Sequence, residues 1–396
     1  MKKKLLLGTT ALIAAGVVAG GMAQADEKPI EASVGGYFRT AMGFISQDDS
    51  NGELADAAQS HTMGNDTEIN VGGSTTLDNG ITAGFSANIE GNGASAGSAA
   101  LDERFVFFDG SFGLVRIGQV ESARQSMTNF APGGTTLFGV NSPFFLFANP
   151  GGFGNIRTYN DGLGDEDNIK LIYYTPTFNG FRIGVSYSPD DATNGQYGGN
   201  AGGALGGLQN NASASAEFSN DFGDFSLRLM GGYETYTLEV CNVNAAGAGV
   251  IAAATFASTA AVRTAADQNC DNNPDVVQFG GTISFGEWSI GGGYQEADQV
   301  GNTATGGGRD REDWDLGISW WSGPFGVGLQ YGNGEQDVVD NTTDEFKIYE
   351  LGATYVLGPG VDVGAAVAKG DFDDATAGAN LDNEYTEFKM GATLNF

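Results

Sequence analysis

Glu387-Phe388-Lys389-Met390-Gly391-Ala392-Thr393-Leu394-Asn395-Phe396, the last ten residues of the chain, alternates without a break. Phe388, Met390, Ala392, Leu394 and Phe396 are apolar, and the odd positions between them are polar or small. Two is the side-chain period of a β-strand, so one face of this strand is apolar and the other wet. The same stripe recurs upstream at Ile69, Val71, Thr75 and Leu77, at Ile81, Ala83, Phe85, Ala87 and Ile89, and at Phe181, Ile183, Val185 and Tyr187. It returns at Phe225, Leu227 and Leu229, at Trp288, Ile290 and Tyr294, at Trp314, Leu316, Ile318 and Trp320, and at Phe325, Val327, Leu329 and Tyr331.

The connections between these stripes fall into two kinds. Seven are short and carry turn residues: Asp78-Asn79-Gly80, Gly110 to Gly113, Phe178-Asn179-Gly180, Asp221 to Asp224, Gly286-Glu287, Ser322-Gly323-Pro324 and Gly358-Pro359-Gly360. Eight are longer, at about 46–66, 91–101, 120–167, 190–210, 237–274, 299–311, 337–343 and 371–383. Short and long alternate throughout, and fifteen connections join sixteen strands. That is the pattern of an up-and-down barrel crossing an outer membrane, with tight turns at one rim and loops at the other.

Composition agrees. Of 396 residues 64 are Gly, a content that an all-helical protein would not carry at about 1 kcal/mol per interior glycine. With 26 Phe, 13 Tyr and 4 Trp the chain is not disordered, and its glycines lack the three-residue period of collagen. A formal net charge of −31 repels phosphate, which argues against nucleic acid as a partner. Residues 1–25 read as a cleaved signal peptide: Lys2 to Lys4, an apolar run from Leu5 to Gly21, and Ala23-Gln24-Ala25 as the cleavage site. Residues 26–396 then form one unit, with no later run long and apolar enough for a spanning helix.

Lipid cannot satisfy open backbone groups, so a spanning sheet has to close on itself. A strand tilted near 45° crosses in about 9–11 residues, which the segments match. A soluble sandwich would show the same alternation. It would not place aromatics at so many strand ends, namely Tyr173, Tyr187, Tyr233, Tyr294, Tyr331, Tyr355 and Phe396, where interfacial girdles lie. The expected fold is all-β, a 16-stranded antiparallel transmembrane β-barrel with a long third loop folded into the lumen.

The run from Tyr173 to Phe181, the run from Phe112 to Gln119 and the terminal Phe396 resemble the Gram-negative general diffusion porins, in particular their alphaproteobacterial branch. The resemblance covers essentially the whole mature chain. It implies a homotrimer of water-filled channels for small hydrophilic solutes and ions in the outer membrane, in contact with lipopolysaccharide and outer-membrane lipid. It also implies that Phe396 is the signal read by the barrel-assembly machinery, and that the third loop narrows the lumen.

That loop, about 120–167, is long for a segment without a task. It carries Phe130, Phe138, Phe144, Phe145, Phe147 and Phe153 and few charges before Asp161, so it is too apolar to stay in water. Strand parity puts Arg39, Arg116, Lys170, Arg182 and Arg228 on the polar face, and Arg104 is added to that set. Glu121, Asp161, Asp165, Glu166 and Asp167 are the loop carboxylates available to face them. Opposed charges across a narrowing orient polar solutes and set ion preference. The resemblance favours Arg39, Arg104, Arg116 and Lys170 for the basic side and Asp161, Asp165 and Glu166 for the acidic side. An alternative for any inward arginine is an ion pair with a neighbouring strand. Net charge points to a weak cation preference that salt weakens.

Cys241 and Cys270 both fall in the external loop at about 237–274. In an exported chain they are expected to pair, closing about 30 residues for roughly 3–4 kcal/mol. No cofactor is called for. Asp165, Glu166 and Asp167 could hold a loosely bound calcium ion, although a hydrated acidic surface bridged by divalent ions and lipopolysaccharide fits such clusters better. A catalytic reading would need His61, the sole imidazole, as base, and it stands among ordinary loop residues, so no enzyme is expected. A substrate-selective channel, or an exported acidic adhesin, are the rival functions.

Overall fold

In a computed structural model the described residues are 30–48, 59–91, 100–142, 144, 146–148, 156, 158, 168–190, 208–238, 273–300, 309–338, 342–375 and 382–396. Sixteen strands follow one another along the chain: β1 Glu31–Gln47, β2 His61–Thr76, β3 Thr82–Glu90, β4 Ala100–Gly110, β5 Gly113–Gln119, β6 Ile169–Tyr174, β7 Phe181–Asp190 and β8 Leu208–Asp221. They continue as β9 Phe225–Leu238, β10 Asp275–Phe285, β11 Trp288–Val300, β12 Arg309–Ser322, β13 Phe325–Val338, β14 Thr342–Gly358, β15 Val361–Asp373 and β16 Asn383–Asn395. Each pairs antiparallel with its neighbours in sequence, and β1 pairs with β16 to close the barrel. Closure is finished at the C-terminus, where the backbone N–H groups of Gly36 and Phe396 each donate to the other's carbonyl.

All seven short turns and all eight long connections occur in the expected order, but the first long connection, expected at about 46–66, is shorter, since β1 runs to Gln47 and β2 begins at His61. The Phe178-Asn179-Gly180-Phe181 turn shows the local cause. Asn179 and Gly180 have φ of 50° and 88°, and Phe178 and Phe181 exchange both backbone hydrogen bonds across the two-residue loop. Positive φ at both central residues matches the twist of the flanking strands, and Asn-Gly reaches it most cheaply.

The barrel is inside-out relative to a soluble domain. Phe388, Met390 and Leu394 are exposed, whereas Glu387 and Lys389 between them are fully buried. The exposed face carries two aromatic girdles. Near the turn rim lie the stacked pairs Phe38–Phe396 and Phe222–Phe225 and the tilted pair Phe325–Tyr355, and near the loop rim Phe44–Phe388 and the row Trp314–Tyr331–Tyr349. Rings at both rims of an apolar band are what two lipid–water interfaces select.

Strand lengths depart from the uniform ten or so residues that the sequence suggested. β1 and β14 have 17 residues, while β5 and β6 have only 7 and 6. The two short strands flank the third long connection, which begins at Val120 and turns at once into a helical turn, α1, Ala123–Ser126. Ser122 caps α1 in a capping box with Gln125.

Residues 120–142 pack against the polar face of the barrel in three apolar clusters. Val120, Ala123 and Met127 meet Ile172 and Tyr174; Leu137, Phe138 and Phe144 meet Ala41 and Ala366; Val140, Ala148 and Ile156 meet Phe346, Ile348, Phe372 and Tyr385. The polar face therefore turns apolar where this segment lies on it. Each large aliphatic or aromatic side chain so buried contributes about 1.5–3 kcal/mol.

The signal-peptide residues 1–25, Cys241 and Cys270, and Asp161, Asp165, Glu166 and Asp167 lie outside the described residues.

Candidate functional site

The polar face of β1 to β7 carries most of the predicted basic residues. Arg39 lies 3.3 Å from Asp66 on β2 and stacks on Tyr37 with 4.0 Å to the ring centroid. This is the neighbouring-strand ion pair that stood as the alternative for an inward arginine. Tyr37 in turn donates to Glu68 at 3.2 Å. Arg116 stands over the rings of Phe105 and Tyr174, at 4.9 and 5.6 Å, and Arg182 over Tyr174 at 4.5 Å. Two guanidinium groups thus share one aromatic surface, both on partly exposed residues. Next to them Arg228 is clamped by Glu217 at 2.6 Å. Lys170 is on the same face but buried, with its ammonium donating to the Asn168 carbonyl at 3.4 Å.

Arg104 is a correction. It pairs with Ala87 on β3 and Gln119 on β5, and that row shares a face with the exposed Val106–Ile117 pair, opposite to Arg116. The cause is a bulge: Ala87 and Ile89 oppose Arg104 and Leu101, so β4 spends one extra residue and parity flips. Glu103 takes the inward place and accepts hydrogen bonds from Asn88 at 3.1 Å and from the Glu121 backbone N–H at 3.3 Å.

Of the predicted acidic side only Glu121 is described. Burial pushes its carboxyl above the ordinary carboxylate range; Arg116 opposes this and Asp102 adds to it. His61 is exposed at the first position of β2, with Nδ1 3.4 Å from the Ser60 hydroxyl.

Sequence reasoning missed the side chains that fasten segment 120–142. Arg124 is wholly buried; its Nε reaches Glu234 on β9 at 2.7 Å and its Nη1 reaches Gln278 on β10 and Gln295 on β11 at 3.1 and 3.0 Å. Glu234 also accepts from Ser122, Asn211 and Tyr236. Further along, Asp315 on β12 accepts from the backbone of Ala131 at 2.8 Å, from Thr158 at 2.6 Å and from Asn141. Gln330 on β13 receives the Val140 N–H and donates to the Ala131 carbonyl. Glu387 on β16 accepts the N–H groups of Phe147 and Ala148 and, with Glu350 on β14, holds the buried Lys389. The one local cue was Ser122-x-x-Gln125, the signature of a capped helical start.

A closed, lipid-faced barrel with a charged polar interior defines an integral membrane β-barrel of the channel-forming class. A family model described as Gram-negative porin matches residues 8–375, and the chain belongs to that family. It is an integral β-barrel protein of the outer membrane. Solved structures similar to it include an anion-selective porin from Comamonas acidovorans, at 17% identity and a TM-score of 0.60, covering 93% of this chain and 100% of that one. The trimer form of OmpT, an outer membrane protein of Vibrio cholerae, matches at 14% identity and a TM-score of 0.57, with 93% and 100% coverage. The outer membrane channel DcaP of Acinetobacter baumannii matches at 12% identity and a TM-score of 0.60, with 93% and 97% coverage. At such identities the likeness is one of fold. No curated protein sequence matches the chain.

Proposed function

We propose that the protein is a diffusion channel for small hydrophilic solutes and ions, narrowed by segment 120–142 lying inside the barrel. The observation that carries this is the order of its partners. Along the segment, Ala123 binds Ser186 on β7, Arg124 binds β9 to β11, Ala131 binds β12 and β13, and Leu137 reaches Gly391 of β16; the chain then turns back, Val140 binding β13 and Asn141 β12, before Phe147 binds β16. A segment that touches the polar faces of so many strands follows the inner circumference, and the passage is assigned to the wall of β2 to β7 outside the stretch that the segment covers at Ile172, Tyr174 and Ser186. Arg39, Arg116 and Arg182 would line that passage, with Glu121 beside Arg116 and with Asp161, Asp165 and Glu166 as the further acidic candidates.

The net charge of −31 favours cations at the mouths, while the inward arginines work against it, so the preference is weak. A homotrimer accords with family membership and with a similar protein solved as a trimer. The same reading includes removal of residues 1–25, a Cys241–Cys270 disulfide, recognition of Phe396 by the assembly machinery and contact with lipopolysaccharide. No catalytic step is assigned. A channel selective for a less polar solute is the second reading, favoured by Phe130, which keeps 38% exposure on the segment. Bilayer conductance of the mature protein tests the proposal: ohmic steps support it, and a folded barrel that passes no current refutes it.

A further inference from the structure

Glycines recur on the inward face at the strands that segment 120–142 crosses. A Cβ built on Gly184 of β7 would lie 2.8 Å from Met127 Sδ, and one on Gly232 of β9 would lie 2.8 Å from Arg124 Cγ. One on Gly293 of β11 would meet the Asn129 carbonyl at 2.9 Å, and one on Gly328 of β13 the Gly133 carbonyl carbon at 2.7 Å. Added Cβ atoms on Gly280 of β10, Gly317 of β12, Gly352 of β14 and Gly391 of β16 would overlap Asn129, Pro132, Thr135 and Leu137 in turn. From β9 onward the contacted residues advance along the segment, from Arg124 to Leu137, as the strands advance round the barrel.

The glycines do not stand alone. Two residues from each, on the same face, is a polar side chain: Gly232 with Glu234, Gln278 with Gly280, Gly293 with Gln295, Asp315 with Gly317, Gly328 with Gln330, Glu350 with Gly352, and Lys389 with Gly391. Glycine comes first on the odd-numbered strands and second on the even-numbered ones. In the register Gly280 faces Gly293 and Gly328 faces Gly352, while Gly232, Gly293 and Gly317 face the polar Gln278, Asp315 and Gln330 of the next strand, so glycine and polar group interleave across the wall. Most of the polar partners are the anchors already described. A small inward residue alone could be tolerance; here each glycine is occupied by the chain's own backbone or side chain, and each stands beside a fastening group.

We propose that this paired row is a seat: the glycines set how closely segment 123–137 lies against the wall, and so fix the free cross-section of the channel. The proposal rests on the channel reading above. A glycine row lets the segment lie flush. One methyl in the row would lift it by about 1 Å toward the lumen, because van der Waals contact has to be restored.

Gly352 gives the most decisive test because its neighbour can be trimmed. The Cβ of Gly352→Ala would meet the γ-methyl of Thr135. Thr135 cannot swing away, since its hydroxyl accepts from the N–H groups of Leu137 and Phe138 at 2.8 and 3.0 Å. Thr135→Ser removes that methyl and keeps the hydroxyl. Single-channel conductance is measured on heat-modifiable mature protein for wild type, Gly352→Ala and Gly352→Ala/Thr135→Ser. Gly358→Ala, in the β14–β15 turn with open space at its Cβ position, is the control. Gly352→Ala is expected to lower conductance by on the order of a fifth, as befits a lift of about 1 Å across an opening some ångströms wide. The double variant is expected to regain the wild-type value, with Gly358→Ala unchanged.

Two outcomes overturn the seat. If Gly352→Ala conducts like wild type while Gln330→Ala, which removes an anchor, does not, the segment narrows the channel but the glycines do not set its height. If both variants conduct like wild type, the segment does not narrow the channel, and the constriction falls with the seat. Should Gly352→Ala fail to fold, Gly184→Ala replaces it, its Cβ meeting both Met127 Sδ and the Tyr174 ring at 2.8 Å; lowered conductance is again the supporting result and wild-type conductance the overturning one.

Discussion

Replacing Arg124 by Met should release the segment that we propose narrows the channel. The guanidinium is buried among Glu234, Gln278 and Gln295, with its closest contact at 2.7 Å. Met keeps much of the apolar stem that lies on Gly232 and removes the charge. Glu234 is then left as a buried carboxylate with neutral donors only, from Ser122, Asn211 and Tyr236. Breaking a buried pair on one side costs about 3–5 kcal/mol, much of it the penalty on the abandoned charge. At 1.4 kcal/mol per decade the undocked population rises roughly a hundredfold to a few thousandfold. Chymotrypsin cleavage at Phe130 and Phe138 reads that population where reclosing outpaces cleavage. Wild type in detergent should resist, Arg124→Met should be cut faster by that factor, and Arg124→Met/Glu234→Gln should recover most of the protection because the stranded charge is gone. Equal cleavage of wild type and Arg124→Met would falsify the role assigned to this pair.

Other consequences follow from the register and the charges. Arg116→Leu should move the reversal potential in a KCl gradient toward cations, whereas Arg104→Leu, on the apolar face, should leave it unmoved; the opposite pattern means the β4 parity is misassigned. Glu121 holds its proton above the ordinary carboxylate range. Acidification therefore removes a negative charge beside Arg116 before ordinary carboxylates respond, and cation preference should fall through that window. Glu121→Gln should lack that step; an identical pH profile counts against the assignment. Protease digestion without reductant should leave the Cys241 and Cys270 peptides linked, and peptides that run separately would show no such disulfide.

Much of the barrel could be read directly, because lipid and water impose a period of two on nearly every strand and closure removes exceptions at edges. The terminal stripe from Phe388 to Phe396 came from that period, and the seven turns and the strand count from the turn residues and long connections between the stripes. Arg104 was misplaced by one residue's worth of bulge between β3 and β4, which leaves no mark in the alternation itself. The fastening of the third connection was illegible for a different reason: Arg124 and Gln295 are 171 positions apart, and only the closed barrel brings them together. The glycine and polar spacing was present as Gly-x-Glu, Asp-x-Gly and their like, but without the register it reads as composition. Lys170 lies on the polar face, yet its burial removes it from the set of exposed basic residues.

The central claim is that water and ions pass between segment 120–142 and the wall of β2 to β7. Single-channel recording of the detergent-extracted mature protein in a planar bilayer under a KCl gradient tests it most directly. The account predicts stable ohmic openings, in groups of three for a trimer, with a small reversal potential toward potassium that shrinks as salt is raised. A folded, heat-modifiable barrel that stays silent, or one whose conductance does not change when Arg124 is replaced by Met, would contradict it.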